Sequence, residues 1–510
     1  MERLSWVRPF DTIKSGSLAD GNMAWFVNGQ INACYQCCDR HDPEKIAITW
    51  EGNEPTDTRQ ITYGEMTRRV CQYANVLKSK GIGKGDRVII YMPMVPETAF
   101  AMLACARIGA VHSVVFAGFS AESLRARVDD ATAKMVMTSD FGLRGPKSIP
   151  LKKIVDDSLA EPGHTVETVL VFKRTGEECP WTEGRDVWLD GQREFRGVEG
   201  NDFAADTQRP FCPCEPTDAE DTLFLLYTSG STGKPKGIQH TIAGYMLYTS
   251  MTFEKTFNYQ DGDLYACVAD VGWITGHSYI VYGPLCRGGN TFMFESLPTY
   301  PDYGRYWDMV QRHKINIFYT APTAIRALMK AGNDPVTKYD RSSLKTLGTV
   351  GEPINPEAWN WYYNVVGDGK CDIVDTYWQT ETGGHVVTGL SGTTPMKPGS
   401  ASFPFYGIEL CVMKPSVEDP VRDDLTQSSA LFHCSRRAAR VCSAALVVDW
   451  ALDVLTSHTD IAVADCRLTQ PGERGAHRGQ RCLRHPGHQD PLAVDGPHGL
   501  RRPQPFHEHL

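Results

Sequence analysis

Apolar and polar positions change rhythm regularly over the first part of the chain. Ile46-Ala-Ile-Thr-Trp50 is a short apolar run of strand type. Thr62-Tyr-Gly-Glu-Met66 opens a helix, with Thr62 as N-cap and Glu65 three residues on; the helix is expected to run to about Ser79 and stop at Gly81. Asp86–Met92 predicts a strand, Pro96 the start of a helix ending near Gly109, Val111–Phe116 a strand, Ser120–Ala131 a helix, and Lys134–Thr138 a further strand. This alternation predicts βαβ units and a mostly parallel sheet. Later apolar runs at Thr222–Leu226, Ile317–Thr320 and Leu347–Val350 also read as strands, each followed by a turn rich in Gly or Pro. Residues 4–41 set Trp6, Phe10, Trp25, Phe26 and Tyr35 among polar residues and predict an irregular arm packed on a larger body. Residues 173–220 are polar with scattered Pro and Gly and predict a surface excursion.

Composition narrows this only a little. At 510 residues the chain is long enough for several domains or subdomains. A net charge of −9 gives no reason to expect nucleic acid or an anionic membrane as partner. No apolar stretch of about 18 residues occurs, so no membrane span is expected. The first residues lack the apolar core of a signal peptide, which points to the cytoplasm. The 16 cysteines are expected to stay thiols. Cys34, Cys37 and Cys38 have no second pair at zinc spacing, so no metal is expected there.

The chemistry concentrates in Tyr227-Thr-Ser-Gly-Ser-Thr-Gly-Lys-Pro-Lys-Gly237. Its three Gly, four Ser/Thr and two Lys offer unblocked backbone N–H groups, hydroxyl donors and mobile cations, the equipment for holding a polyphosphate. It is not the GxxxxGKS/T loop, because Gly230 and Gly233 stand too close and Pro235 follows Lys234. Arg144 and Lys147 frame a tight turn that suits a surface phosphate or is simply a solvated basic turn. Leu347-Gly-Thr-Val-Gly-Glu-Pro353 runs a strand into Gly351, where a backbone without bulk would admit a planar base. Val374-Asp-Thr-Tyr-Trp-Gln-Thr-Glu-Thr-Gly-Gly384 carries acceptors, an aromatic pair and Glu381, a carboxylate suited to Mg²⁺. His277 reads as a structural hydrogen-bonder or a catalytic group.

The loop, the Gly-Glu-Pro turn and the Asp375–Thr380 segment together resemble the adenylate-forming enzymes, the family of acyl-CoA synthetases, luciferases and peptide-synthetase adenylation domains. Phe10-Asp-Thr-Ile13, Ala24-Trp-Phe26 and Ala269-Asp-Val-Gly-Trp-Ile-Thr-Gly-His277 narrow the resemblance to the acetyl-CoA synthetases. It implies an α/β fold: layered α/β subdomains with mostly parallel sheets plus a small β-rich part near residues 385–413. It implies an arm over 1–41 and a large AMP-binding domain over 42–413. It implies ATP, CoA and Mg²⁺, with acetate, ATP and CoA as small-molecule partners. Ser229, Gly230, Ser231, Thr232, Gly233, Lys234 and Lys236 would hold the β and γ phosphates. Gly351, Glu352 and Pro353 would border adenine and ribose, and Asp375, Thr376, Tyr377, Trp378 and Gln379 complete that pocket. Thr380 would reach the α-phosphate and Glu381 would hold Mg²⁺; Thr228 and Lys234 join them as catalytic. Arg144, Gly145, Pro146 and Lys147 would grip the CoA nucleotide phosphates, with Thr275, Thr299 and Ala321 along the CoA path. Trp273, Ile274, Thr275, Val350 and Trp378 would line the acyl pocket, where the indole of Trp378 leaves room for acetate first and propionate second. Pro146 stands where the family usually has a small residue, and Thr299 where many members have Asn.

The resemblance ends near residue 413. Residues 421–510 hold eleven Arg, eight of the fifteen His, and no Lys or Tyr. Neither the Tyr-x-Thr-Gly-Asp segment nor the lysine loop expected of the family follows. Residues 496–510, back-translated with suitable codons and read one base later, encode a stretch similar to the acetyl-CoA synthetases. The tail 414–510 is therefore expected to be a mistranslated frame or a disordered segment in place of a small C-terminal domain. Two alternatives to a working acetate–CoA ligase follow: an ATP- and CoA-binding remnant without turnover, or a different acyl-CoA or adenylation domain.

Overall fold

Two large sheets carry the molecule. The computed structural model describes residues 3–17, 20–191, 203–228 and 235–410. The first sheet runs, across its width, Asp186–Gly191, Thr168–Lys173, Met135–Ser139, Arg87–Tyr91, Val111–Val114, Thr222–Thr228 and Lys236–Thr241. All neighbours are parallel except the last pair, a hairpin. The second sheet has nine strands. Asp372–Tyr377, Thr346–Thr349, Ile317–Thr320, Leu264–Cys267, Asn290–Phe294 and Ile46–Glu51 are parallel at its centre. Thr58–Thr62 closes one edge antiparallel, and the two-residue strands Val387–Thr388 and Phe403–Pro404 extend the other.

Central parallel strands are covered on both faces, which is why Arg87-Val-Ile-Ile-Tyr91 reads as a continuous apolar run. The helix Tyr63–Ser79 starts as expected: the Thr62 side chain accepts from the Glu65 N–H at 3.1 Å. Met66, Val70, Tyr73, Ala74 and Leu77 form its buried stripe. The helix Pro96–Arg107 is buried on every side, and its ends stay polar only because Glu97 pairs with Arg59 and Arg107 with Asp39. The largest apolar core includes residues of both sheets, from Val88 and Ile90 to Tyr265 and Tyr319.

The arm is more regular than its composition suggests. Thr12–Ser15 and Ala24–Val27 form a hairpin, and Trp6, Phe10 and Phe26 pack with ring centroids 5.0–5.5 Å apart. Asn32 caps the short helix Ala33–Cys37 and donates to the carbonyls of Ala106, Arg107 and Glu215. The stretch 173–220 also differs from expectation. Asp186–Gly191 adds a strand to the first sheet, and Phe203, Ala205 and Cys212 are buried. Asp190 of this stretch faces inward because Arg69, itself buried, needs it as a counter-charge, and Asp206 adds a second at the surface. Residues Met1–Phe405 form one compact unit and Tyr406–Leu510 a second. The expected change of character at 414–510 lies outside the described residues.

One buried charge cluster ties the second sheet to its helices. Glu51, at the end of its strand and fully buried, meets Arg305 at 2.9 Å, Arg312 at 2.8 Å and His313 at 2.6 Å. Burial alone would raise the Glu51 carboxyl, but the hydrogen bond to His313 and the charges of Arg312 and Arg305 outweigh it and hold it below its ordinary value. Glu51→Gln keeps the shape and strands the buried Arg305 charge. Chemical denaturation is expected to show a loss of about 3–5 kcal/mol; a loss no larger than that of a surface substitution would mean that Arg305 is solvated after all.

Candidate functional site

The strand Thr222–Thr228 turns back as Lys236–Thr241, with Thr228 opposite Lys236 and Tyr227 opposite Gly237. The expected phosphate-holding residues Ser229, Gly230, Ser231, Thr232, Gly233 and Lys234 lie outside the described residues. Their flanks are fixed. Thr228 is half-buried and Lys236 exposed. The Tyr227 hydroxyl donates to Asp130 at 2.6 Å, and its ring lies against Gly237, where a Cβ would approach to 3.1 Å. The loop therefore springs from a clamped hairpin.

The second motif begins at the end of Asp372–Tyr377. Asp375 is buried and accepts from the Thr349 hydroxyl at 2.7 Å. Burial raises its carboxyl above the ordinary value, opposed by Thr349 and the Thr376 N–H. The Thr376 hydroxyl bonds the Thr349 carbonyl at 2.8 Å and Tyr319 at 2.6 Å. Trp378 donates its indole N–H to the same Tyr319 oxygen at 3.3 Å and meets Tyr279 edge-on at 5.0 Å. Tyr377 is exposed, and Gln379, Thr380 and Glu381 are half-buried. Beside this edge Gly351 has φ +93°, and nothing lies within 4 Å of where its Cβ would be. That open face suits a flat ligand. Glu352 is engaged by the Thr323 hydroxyl and by Arg326 at 2.7 Å. Burial raises its carboxyl, but these two donors prevail and hold it below its ordinary value. Pro353 is exposed beside it.

The two motifs meet. His240, on the return strand of the loop hairpin, bonds the Thr380 carbonyl through Nε2 at 2.7 Å. A carbonyl only accepts, so this nitrogen carries the proton. Burial lowers the His240 imidazole from its ordinary 6.5 to about 4, with the Thr380 contact opposing the shift, so the ring is neutral near pH 7. Gly383 has φ +70°, and a Cβ there would stand 2.9 Å from the His240 ring. Ser278 donates to the Gly383 carbonyl at 2.6 Å. Sequence reasoning missed His240, Ser278 and Tyr319. The available signal was a polar residue in a strand that leads directly out of a motif. His277 is fully buried, contacts the Trp273 carbonyl at 3.2 Å and packs on His112 and Phe224.

A cavity of about 150 Å³ lies on another side, lined by Phe116, Arg144, Asp270 and Ser296 among others. Arg144 and Lys147 face each other in a hairpin through Gly145, at φ +60°, and Pro146. Asn53 clamps Gly145, accepting from its N–H at 2.7 Å and donating to its carbonyl at 2.9 Å. The Arg144 guanidinium lies 5.2 Å over the Phe116 ring, which packs 5.8 Å from the exposed Trp273. Asp270 is pushed up to about 6 by burial, opposed by the Gly272 N–H and Arg144. Leu297 and Tyr300 pack at Gly145, so the turn bearing Thr299 adjoins this hairpin. Ile274, Val350 and Trp378 share one apolar cluster, and Thr275 beside them is half-buried. Ala321 stands apart from the cavity lining, at the start of the helix Pro322–Met329 that holds Glu352.

A parallel α/β body that joins a Gly/Ser/Thr/Lys loop to an acidic–aromatic strand end has the build of an enzyme that handles a nucleotide. The chain belongs to the AMP-binding enzyme family, whose model matches residues 36–426, while a model for the acetyl-coenzyme A synthetase N-terminus matches residues 1–37. The chain is 56% identical over 419 residues to an acetyl-coenzyme A synthetase of Phycomyces blakesleeanus, covering 81% of this chain and 61% of the relative. It is 56% identical over 414 residues to one of Rhizobium rhizogenes, with 80% and 62% covered. It is 55% identical over 409 residues to acetyl-coenzyme A synthetase 2 of Pseudomonas aeruginosa, with 80% and 61% covered. The matched part thus spans about three fifths of these relatives. Among the described residues no helix is long and apolar enough to cross a membrane.

His240→Phe keeps the ring and removes the donor to Thr380. Near pH 7 it is expected to cost about 1 kcal/mol and to speed amide exchange over 379–384. Because the folded-state value lies below the unfolded one, His240 favours folding above about 6.5 and this contribution is lost as pH falls towards about 4. The stability gap between the two proteins should therefore shrink on acidification; a gap unchanged from pH 7 to pH 4 would contradict a neutral, donating His240.

Proposed function

We propose that this chain carries the nucleotide- and acyl-handling part of an acetate–CoA ligase. Acetate would attack the α-phosphorus of ATP, giving acetyl-AMP and pyrophosphate; the CoA thiol would then attack the acyl carbon and release AMP. A carboxylate is a poor acyl donor because its leaving group would be oxide, and the first step is chiefly charge management and alignment. The observation that carries the reading is the His240–Thr380 bond, which draws the phosphate-loop hairpin and the Asp375–Thr380 segment to one edge.

In this reading the loop from Ser229 to Gly237 holds the β and γ phosphates, with Thr228 at its root. Gly351, Glu352 and Pro353 border adenine and ribose, residues 375–379 complete that pocket, and Thr380 reaches the α-phosphate. Glu381 fits a hard cation: its half-buried carboxylate makes no ion pair among the described residues. Mg²⁺ held there would neutralise phosphate charge. Arg144 and Lys147 serve the CoA phosphates, with Thr275, Thr299 and Ala321 along the path. Trp273, Ile274, Thr275, Val350 and Trp378 shape the acyl end. The arm 1–41, the body 42–413 and the tail 414–510 are its parts, and a cytoplasmic location suits the substrates. A second reading is binding of ATP and CoA without turnover.

Acetate-dependent ATP–pyrophosphate exchange separates the two. The chain is assayed beside a chimera in which residues beyond 413 are replaced by the corresponding region of the Phycomyces relative. Exchange by both supports the ligase, exchange by the chimera alone supports the binding reading, and exchange by neither rejects the acetate assignment. In the active form, Trp378→Gly is expected to move preference towards longer acids, by about 10- to 200-fold per methylene accommodated; an unchanged preference would remove Trp378 from the pocket.

A further inference from the structure

Cys34 lies on the short helix Ala33–Cys37, and Cys214 on the segment that leads towards the phosphate-loop hairpin. Their sulfurs and the Asp39 carboxylate all lie within 4.8 Å of one another. Arg107 grips both Asp39 oxygens at 2.8 Å and sets Nη1 3.4 Å from the Cys34 sulfur. Cys34 is fully buried, whereas Cys214 is partly open to solvent. Burial pushes the Cys34 thiol up, but hydrogen bonds from Cys214 and Cys38 and the Arg107 charge prevail and hold it well below its ordinary value. Cys214 shifts upward, because its hydrogen bond to Cys34 and its burial keep the proton on its sulfur. The two sulfurs come from distant parts of the chain.

We propose that Cys34 and Cys214 form a reversible dithiol–disulfide site that a hydroperoxide closes and a small thiol reopens. Closing the bond would bring sulfurs that lie within 4.8 Å of one another to the ~2 Å of a disulfide. Cys214, the sulfur partly open to solvent, passes its proton to the Cys34 thiolate and attacks one peroxide oxygen; the O–O bond breaks, leaving a sulfenic acid on Cys214 and an alkoxide or hydroxide that takes up a proton. The second sulfur, giving up its proton, then attacks the sulfenic sulfur, so that an S–S bond forms and hydroxide leaves as water. Two thiols and ROOH become a disulfide, ROH and H₂O, with two electrons passing from sulfur to oxygen. Two equivalents of thiol reverse the change by exchange.

Two rivals are disfavoured by the geometry. Cys38 is 3.8 Å from the Cys34 sulfur, but it is as buried as Cys34 and gives an oxidant no entry. A divalent cation would have to displace the Arg107 guanidinium, which already neutralises Asp39 and faces Cys34. The disulfide would tie the end of the arm to the segment that feeds the loop hairpin.

The test is a cysteine map of the full chain after a few equivalents of hydrogen peroxide, with free thiols blocked before digestion. The Cys34–Cys214 cross-linked peptide is expected to exceed every other cysteine pair by about tenfold and to disappear with dithiothreitol. It should vanish in Cys34→Ser and Cys214→Ser and persist in Cys38→Ser. The wild-type map decides even where a variant fails to fold. A dominant Cys34–Cys38 pair, recovery of Cys214 as free thiol, or protection of both thiols by added zinc would each overturn the proposal.

Discussion

A neutral histidine donating to a backbone carbonyl holds two motifs 140 residues apart at one edge. His240 can do this only because burial keeps it uncharged. An imidazolium in that position would bring a charge into a wall already built of Phe224 and Tyr245. The contact also fixes what surrounds it. Gly383 must lack a side chain because the His240 ring occupies the space, and its carbonyl must point to Ser278. The turn 379–383 is therefore over-determined, although it carries little regular secondary structure of its own. A turn held in this way can present Thr380 and Glu381 in one arrangement without relying on a ligand to order them.

How much of this was legible follows from what each residue does. Strands and helices whose apolar positions face a core announce themselves, and Thr62, Ser120 and Pro96 start their helices where their chemistry predicts. The Gly-Glu-Pro turn and the acidic–aromatic run were also visible, because they break the apolar rhythm with unusual residues. Side chains that act on backbone were not visible. His240, Ser278, Tyr319 and Asn53 each satisfy or clamp a main-chain or hydroxyl group from a distant segment. In sequence each is a single polar residue, indistinguishable from one that faces water. The same blindness explains part of the stretch 173–220, where Asp190 and Asp206 look solvated and in fact neutralise Arg69.

The cavity beside Arg144 follows a different logic. Its cation is held by an aromatic face, and its hairpin by two hydrogen bonds from Asn53 to Gly145. Asp270, pushed up to about 6 by burial, is still mostly ionised near pH 7 and shares the cavity lining with Arg144 and Glu295. The line from Arg144 through Phe116 to Trp273 is a continuous aromatic and cationic surface, suited to a ligand with a charged end and a flat or apolar body.

At the apolar end the useful property is stiffness rather than size alone. The Trp378 indole is held by its N–H on Tyr319 and by the edge of Tyr279, and Tyr319 is held in turn by Thr376 on the same strand as Asp375. A hydrophobic pocket gains only ~1–3 kcal/mol per methylene from contact, so a mobile wall would spend most of that by yielding to a longer chain. A wall tied into the strand that carries the polar motif cannot yield without disturbing the Thr376–Thr349 bond beneath it. In the proposed ligase reading, discrimination by size and alignment of the polar groups rest on the same hydrogen bonds, and a change that loosens one should loosen the other.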